Sequence, residues 1–373
     1  MPANRVFLDA GGQSPVSRRA ADALLAGLAD GWADPTRLTH ESRRARALLD
    51  GAREAIADVL GADAAHVHFL PSGHVAAERV TAGIFRARRG RERIVASAVE
   101  RRAVLDAAEH AAPGAVDLLS VDGAGHVDLD ELATRLGHPS TALALIQHAN
   151  QEIGTVQPVD EVAQLARRAE VPLVVDASAS IGHIEAPAEW DALLAEPADW
   201  GAPAGLGIIA TRPRTRWLPA WPGEGWAPGG VSIPLALAAA VALQERRESH
   251  EANRARLAAH TARMRDALSG LEGVTVVGDP DSRVPHLLTA AFMYLDGEPV
   301  VTRLDREGFA VGSGSACGTA AFEPSHVLAA MGALTHGNLR IGLHPAVSDD
   351  DVERFISTLP RVLEDVRRSM TSH

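Results

Sequence analysis

The sequence predicts an α/β fold, with a large domain built on a mainly parallel sheet covered by helices on both faces and a smaller α+β domain. Two near-continuous apolar runs, at 142–146 and 172–176, are typical of strands buried on both faces of a parallel sheet. Strand-like runs alternate with segments of helical periodicity, which is the pattern of βαβ units. Because 373 residues exceed the size of one hydrophobic core, two domains are expected.

The expected elements follow in chain order. Helical periodicity covers 18–28 and 42–60, and a long, interrupted amphipathic helix is expected from about 235 to 271, connecting the domains. Strands are expected at 66–70, 93–96, 115–119, 142–146, 172–176, 205–210, 274–277, 287–292 and 309–311. We therefore assign residues 15–250 to the large α/β domain. Residues 1–14 and 251–373 form the small α+β domain, which carries the loop of Cys317.

Composition and charge narrow the class of protein. A net charge of −12 argues against nucleic acid and anionic membrane surfaces as partners. With 46% hydrophobic and 23% charged residues, the chain can bury a large core. The sequence contains no apolar run of the roughly 18 residues that a membrane span requires, and its first residues lack a signal-peptide pattern. One cysteine excludes an internal disulfide, and we expect a cytoplasmic protein.

Every basic residue among the 36 counted is arginine, and the sequence contains no lysine. A bias of the genome towards arginine codons would explain this composition. Whatever its origin, no chemistry in this chain can use a lysine amine.

Cys317 is the candidate nucleophile. It lies in a stretch of glycine, serine and alanine at 312–318, between an expected strand and an expected helix. Such neighbours leave the backbone mobile and the sulfur uncovered, whereas a structural thiol is normally packed among larger apolar side chains. The local sequence therefore favours a reactive thiol over a passive one.

Two further positions suggest a ligand site in the large domain. Ser72, Gly73 and His74 form a turn that opens into a helix, and such a turn directs backbone N–H groups and a helix dipole towards an anion. Asp176 ends an apolar strand, and open α/β sheets bind ligands at the carboxyl ends of their strands. Each signal is weak alone, because Ser-Gly before a helix is common and an Asp can simply cap the next turn.

Several segments in matching order resemble one family over nearly the whole chain. The segments are 7–10, 69–73, 148–154, 175–182, 314–317, 323–328 and 338–341. Together they resemble the cysteine desulfurases, which are class V aminotransferases among the fold-type I pyridoxal-phosphate enzymes. The resemblance implies a fold-type I architecture, a homodimer, L-cysteine or a persulfide donor as the small-molecule substrate, and a sulfur-acceptor protein as a partner.

The resemblance also implies roles for individual residues. Cys317 matches the cysteine that carries the persulfide, and Arg340 matches the arginine that binds the substrate carboxylate, for which a guanidinium fork is suited. Asn150 matches a cofactor and substrate contact, and Asp176 matches the partner of the pyridinium nitrogen. Without the resemblance, Arg340 would as readily form a surface salt bridge.

Other positions depart from the family pattern around the cofactor. The family lysine follows a Ser-X-His run, and here Pro197 and Asp199 take those places with Trp200 next. Arg101 stands in place of the ring-stacking histidine, and Ala179 replaces a glutamine that contacts the cofactor. In the phosphate loop of Ser72, Gly73 and His74, the next residue is Val75, whose side chain cannot donate a hydrogen bond. We therefore interpret these cofactor-binding positions as vestigial.

Four hypotheses remain open at this point. The first is a cofactor-free homologue that transfers sulfur through Cys317. The second is an active pyridoxal-phosphate desulfurase, either with an atypical pocket or with a modified lysine that the written sequence lacks. A non-catalytic dimeric partner of a sulfur-transfer system is the third, and an anion held by Arg101, Arg102 and Arg340 in the vacated pocket is the fourth. We predict no covalently bound cofactor and no metal site.

Overall fold

The computed structural model describes residues 5–219, 230–313, 324–335 and 337–371. The strands are β1 (Val6–Leu8), β2 (Val67–Leu70), β3 (Arg93–Ser97), β4 (Val116–Leu119), β5 (Thr141–Gln147), β6 (Leu173–Asp176), β7 (Ala192–Ala195), β8 (Gly207–Thr211), β9 (Val274–Val277), β10 (Leu287–Phe292), β11 (Phe309–Val311) and β12 (Asn338–Gly342). The helices are α1 (Arg18–Asp30), α2 (His40–Leu60), α3 (Gly73–Ala87), α4 (Arg102–Ala111), α5 (Leu129–Leu136), α6 (Val159–Arg168), α7 (Ile233–Glu248), α8 (His250–Ser269), α9 (Gly297–Arg306), α10 (His326–Ala330) and α11 (Asp349–Thr371).

A seven-stranded sheet forms the centre of the larger part of the molecule, in the order β2-β8-β7-β6-β5-β3-β4. The pairs from β7 to β4 are all parallel, and only β8 runs antiparallel to its two neighbours. This architecture confirms the predicted α/β fold class with a mainly parallel sheet.

The environment of strand β5 explains why its sequence is a continuous run of mostly apolar residues. All its residues are buried. Ala144 and Ile146 pack into the core on one face of the sheet, whereas Leu143 and Leu145 pack into the core on the other face. Helices cover both faces, so successive side chains of a parallel strand have no exposed side and polar alternation disappears.

The rest of the molecule has a second hydrophobic core. It surrounds an antiparallel sheet of order β12-β10-β9 and a parallel pair, β1 with β11. Leu8 of β1, Met264 of α8 and Phe355 of α11 are among the buried residues of this core. The N-terminal strand therefore packs with the C-terminal third, which supports the proposed small domain; its boundaries stay a prediction.

The predicted long helix is interrupted, as expected: α7 ends at Glu248, α8 begins at His250, and Ser249 between them leaves helical geometry. Trp217, the first of three tryptophans within ten residues of the sequence, is partly buried against the core. Trp221 and Trp226 lie outside the described residues. Within the described part of the chain, no helix combines the length and apolar character that a membrane span needs.

Candidate active site

The carboxyl ends of β7, β6, β5 and β3, which are neighbours in the sheet, lie along one edge of it. Glu196 follows β7, Asp176 ends β6, Asn150 follows β5 and Arg101 follows β3. Chain positions far apart therefore come together where open α/β sheets place their ligands.

Asp176 and Arg101 form a buried ion pair at this edge. The Nε of Arg101 donates to Oδ2 of Asp176 at 2.7 Å. The other oxygen, Oδ1, accepts hydrogen bonds from the backbone N–H and the hydroxyl of Ser178, at 3.0 and 2.6 Å. Both oxygens of Asp176 therefore have donors from within the chain.

Arg101 also binds a second carboxylate. Its Nη1 donates to Oε2 of Glu196 at 2.6 Å, so that the guanidinium lies between two acidic side chains. Burial alone would lower the pKa of Arg101, but the charges of Asp176 and Glu196 outweigh burial and raise this pKa above its usual value. We call Arg101, Asp176 and Glu196 the arginine triad.

Glu196 lies against the turn that the resemblance assigned to a phosphate. A β-carbon at Gly73 would overlap Oε2 of Glu196, so a larger residue at this position would displace the carboxylate from where it lies. Ser72 is the N-cap of α3, and its hydroxyl accepts from the N–H of Val75 at 3.2 Å. The start of a helix attracts negative charge, and here Glu196 supplies it. His74, by contrast, is exposed.

Glu100 adds a further acidic group behind the triad. Burial, together with the negative charge of Asp176, raises the pKa of Glu100 well above its ordinary value. Its backbone carbonyl accepts a hydrogen bond from the ring Nε2 of His326, the first residue of α10. We did not identify Glu100 or Glu196 as site residues from the sequence; the available signal was an acidic residue soon after a buried strand.

Asn150 is fully buried within its own turn. Its amide nitrogen donates to the carbonyl of Val99 at 2.9 Å, and its Oδ1 accepts from the N–H groups of Glu152 and Ile153 at 2.8 and 2.9 Å. These bonds fix the turn after β5. A contact between Asn150 and a substrate stays a prediction.

Arg340 on β12 is buried rather than part of a surface salt bridge. Its Nη2 lies 3.1 Å from Oδ1 of Asp9, and its side chain is 8% exposed. The pair packs against Gly312, whose backbone forms two hydrogen bonds with that of Arg340. The carboxylate expected to come from a substrate is therefore matched, in this structure, by Asp9.

Cys317 lies outside the described residues, but both flanks of its segment are described. On one side, Gly312 bonds to Arg340. On the other, the hydroxyl of Ser325 donates to Oε2 of the buried Glu152 at 2.5 Å. One flank therefore contacts β12, which holds Arg340, and the other contacts the turn after β5, which holds Asn150.

Two other predicted residues have simple surroundings. Ala179 is buried in the turn after Asp176, and its methyl group offers no hydrogen bond. Arg102 is exposed and pairs with Asp106 at 3.0 Å. Arg101 and Arg340 each bind carboxylates of the chain, and an anion held by the three arginines stays a hypothesis.

Comparison with known proteins identifies the family of this chain. The sequence model of the family described as Aminotransferase class-V matches residues 6–225 and 228–355. Cysteine desulfurase IscS 1 of Archaeoglobus fulgidus is 28% identical over 375 residues, with 97% of each chain covered. A cysteine desulfurase of Cereibacter sphaeroides is 30% identical over 381 residues, again with 97% of each chain covered.

Solved structures show the same fold. A NifS-like protein superposes with a TM-score of 0.88 at 24% identity, covering 96% of this chain and 99% of the other. The apo structure of the cysteine desulfurase from Thermococcus onnurineus NA1 gives a TM-score of 0.84 at 19% identity, covering 97% of this chain and 95% of the other. With the family match over most of the chain, these findings confirm the resemblance: the chain belongs to the class V aminotransferases, within the cysteine desulfurase family.

Proposed function

We propose that this chain is a cysteine desulfurase homologue that works without pyridoxal phosphate and acts in sulfur transfer through a persulfide on Cys317. The observation that carries the proposal is the arginine triad. In it, Arg101 binds Asp176 and Glu196 at the edge of the sheet where the family resemblance places the cofactor.

Pyridoxal phosphate, when bound, withdraws electrons from a substrate carbon through its pyridinium ring. The described residues do not fit that group. Oδ2 of Asp176, where a pyridinium N–H would bind, already accepts from Arg101. The carboxylate of Glu196 lies against Gly73, where the phosphate would bind. The sequence also contains no lysine to hold the aldehyde carbon.

The energies involved favour this interpretation. Two unit negative charges about 4 Å apart repel each other by about 4 kcal/mol at the effective dielectric constant of a protein surface, so Glu196 opposes a phosphate beside it. Removing Arg101 from Asp176 to admit a ring would leave a buried carboxylate without its cation, which typically costs about 3–5 kcal/mol. A bound cofactor would have to offset both the repulsion by Glu196 and the loss of the ion pair between Arg101 and Asp176.

Sulfur transfer by Cys317 needs no cofactor if the sulfur arrives as a persulfide. The Cys317 thiolate would attack the outer sulfur of the donor; the donor's S–S bond breaks, a new S–S bond forms on Cys317, and the donor leaves as a thiolate. Electrons and atoms balance without an oxidant. A second attack, by the thiol of an acceptor protein, would pass the sulfur on. A homodimer and a cytoplasmic location belong to the same proposal.

Intact-mass spectrometry tests the proposal. The reduced chain is incubated with a low-molecular-weight persulfide, and we expect a gain of one sulfur atom that a further thiol removes. Because Cys317 is the one cysteine in the sequence, Cys317→Ser is a complete control and should gain none. Absence of the added sulfur in the wild-type chain would refute the proposal.

The same preparation separates the alternatives. We expect no visible absorption band of a protein-bound imine after incubation with pyridoxal phosphate, and no alanine released from L-cysteine. Alanine release would instead establish the active cofactor-dependent desulfurase. A Cys317→Ser variant that retains full biological function would establish the non-catalytic partner.

A further inference from the structure

A second polar cluster lies in the interior, on the same segment after β7 that carries Glu196 of the arginine triad. Its members are His183, in the turn after β6, Asp199, in the segment after β7, and His286, which directly precedes β10. Their exposed fractions are 4%, 1% and 0%. We call them the histidine cluster; it joins the central sheet to the second core.

The cluster is not satisfied by its surroundings. Among the described residues, five of its side-chain atoms have no hydrogen-bond partner: both ring nitrogens of His183, both ring nitrogens of His286, and Oδ2 of Asp199. A buried polar group without a partner typically costs about 1–3 kcal/mol. Several such groups in one place indicate a ligand that the protein chain itself does not supply.

The distances fit a shared metal ion better than direct hydrogen bonds. One ligand atom from each of the three residues lies within 4.8 Å of the others. Nε2 of His183 and Oδ2 of Asp199 are 3.7 Å apart, too far for a hydrogen bond. Two atoms that bind one zinc ion at about 2.1 Å each, in tetrahedral geometry, stand about 3.4 Å apart.

The carboxylate is already oriented for such a role. The other oxygen of Asp199, Oδ1, accepts the backbone N–H of Gly12 at 2.9 Å, which leaves Oδ2 directed into the cluster. Outer bonds of this kind fix metal-binding side chains in place. The two imidazole rings stack with centroids 3.5 Å apart and planes inclined by 10°, so the rings must turn relative to each other for a nitrogen of each to bind a common ion.

The nearby guanidinium of Arg246 acts on both imidazole rings. An imidazole binds metals in its neutral form. Arg246 itself donates to the carbonyl of Trp200 and to the hydroxyl of Ser14.

The charge of Arg246 also selects among metals. It opposes any cation, so the affinity must come from the two imidazole nitrogens rather than from electrostatic attraction. Nitrogen ligands favour zinc, cobalt, nickel and copper over magnesium and calcium, which prefer oxygen. Gly182 and Ile184, on either side of His183, line an open cleft of about 570 Å³, which brings solvent to the other side of this turn.

We propose that His183, Asp199 and His286 bind one divalent transition-metal ion of the zinc class, with water in the remaining position. The site is independent of Cys317 and of the proposed sulfur transfer. Three protein ligands with one open position form a common zinc arrangement. An ion here would link the turn after β6, the segment after β7 and His286. It would therefore connect the two hydrophobic cores.

The direct test uses the full-length, untagged chain, stripped with a chelator and dialysed. We expect it to bind one equivalent of Zn²⁺ by elemental analysis. With Co²⁺ as the probe, we expect the intense visible d–d bands of a tetrahedral site, which zinc then bleaches. A wild-type chain that takes up neither ion, or that binds Co²⁺ only with the weak spectrum of the hydrated ion, would overturn the proposal.

Variants locate the site. His183→Asn, His286→Asn and Asp199→Asn should each weaken Zn²⁺ binding by more than the ~10–100-fold typical of losing an outer-shell partner. Asp199→Asn keeps an oxygen for Gly12 and is the variant most compatible with folding. The control is His148→Asn, because His148 is also buried but bonds through Nδ1 to Ser180 at 2.9 Å. Unchanged binding in folded His183→Asn and His286→Asn, judged by circular dichroism, would also contradict the proposal.

Discussion

The arginine triad and the histidine cluster differ in how their buried charges are compensated, although Glu196 and Asp199 belong to one short segment after β7. In the triad, both oxygens of Asp176 and two nitrogens of Arg101 have partners. In the histidine cluster, five side-chain atoms have none among the described residues. A polar group that is satisfied internally has little to offer a ligand, whereas one that is unsatisfied gains by binding one.

The difference teaches where a ligand is expected in this member of the family. The edge at which relatives would bind a cofactor holds opposite charges that bind each other. Among the described residues, five unsatisfied polar atoms lie around Asp199, next to the position where the resemblance would place the lysine, whereas the triad has one, Nη2 of Arg101. We therefore infer that the need for an external ligand lies at the histidine cluster rather than at the triad.

The largest expected effect comes from opening the triad. Arg101→Ala would leave Asp176 buried without its cation and Glu196 without its partner, so we expect the free energy of unfolding to fall by about 3–5 kcal/mol. Urea unfolding followed by circular dichroism measures this loss.

The neighbouring residue is a matched control for that change. Arg102 is exposed and pairs with Asp106 on the surface, so Arg102→Ala should cost no more than about 1 kcal/mol. Equal losses for Arg101→Ala and Arg102→Ala would mean that the triad contributes no more than a surface pair.

A smaller effect should follow from crowding the triad. Gly73→Ala places a methyl group where Oε2 of Glu196 lies, and displacing this side chain should cost about 1–3 kcal/mol. The cost should shrink when Glu196→Ala removes the side chain that is in the way, which a double-mutant cycle measures.

Gly51→Ala is the control for this substitution. Gly51 lies inside α2, and a methyl group there would meet nothing within 4 Å. Replacing it should therefore stabilise the chain by about 0.5–1 kcal/mol through helix propensity. If Gly73→Ala is as stable as the wild type, the carboxylate of Glu196 does not lie against Gly73.

The sequence predicted most of the fold because burial on both faces leaves an unmistakable apolar run, as in β5 and β6. It did not predict β7, whose Ala-Leu-Leu-Ala sequence lacks the β-branched residues that favour strands. A strand can be predicted from the local sequence only where its residue composition matches the environment that the strand has in the folded chain.

The site was predicted less completely, for a geometric reason. Asp176, Arg101 and Gly73 were identified by their positions in motifs. Glu196 was not, because its bond to Arg101 joins residues 95 apart, at the ends of strands that are not adjacent in the sheet. The expectation of no metal site stays a prediction; the sequence has no short spacing that relates His183 to His286, because the two residues come from different parts of the fold.

The smallest predicted effect is the pH dependence of stability that His148 contributes. It tests whether burial alone keeps a histidine neutral, because this ring is buried and also has a hydrogen-bond partner. Burial lowers the pKa of His148 to about 4, although its ring bonds to Ser180. The ordinary value is near 6.5, so below that pH the unfolded chain binds a proton that the folded chain does not, and stability falls as the pH falls towards 4. At pH 5.5 this one residue should account for roughly 1 kcal/mol of the loss relative to pH 8. His148→Asn should reduce the pH dependence of the urea midpoint by that amount while leaving the metal content unchanged. If the dependence is the same in the variant and the wild type, the ring of His148 is accessible to protons in the folded chain, and burial alone does not keep an imidazole neutral in this interior.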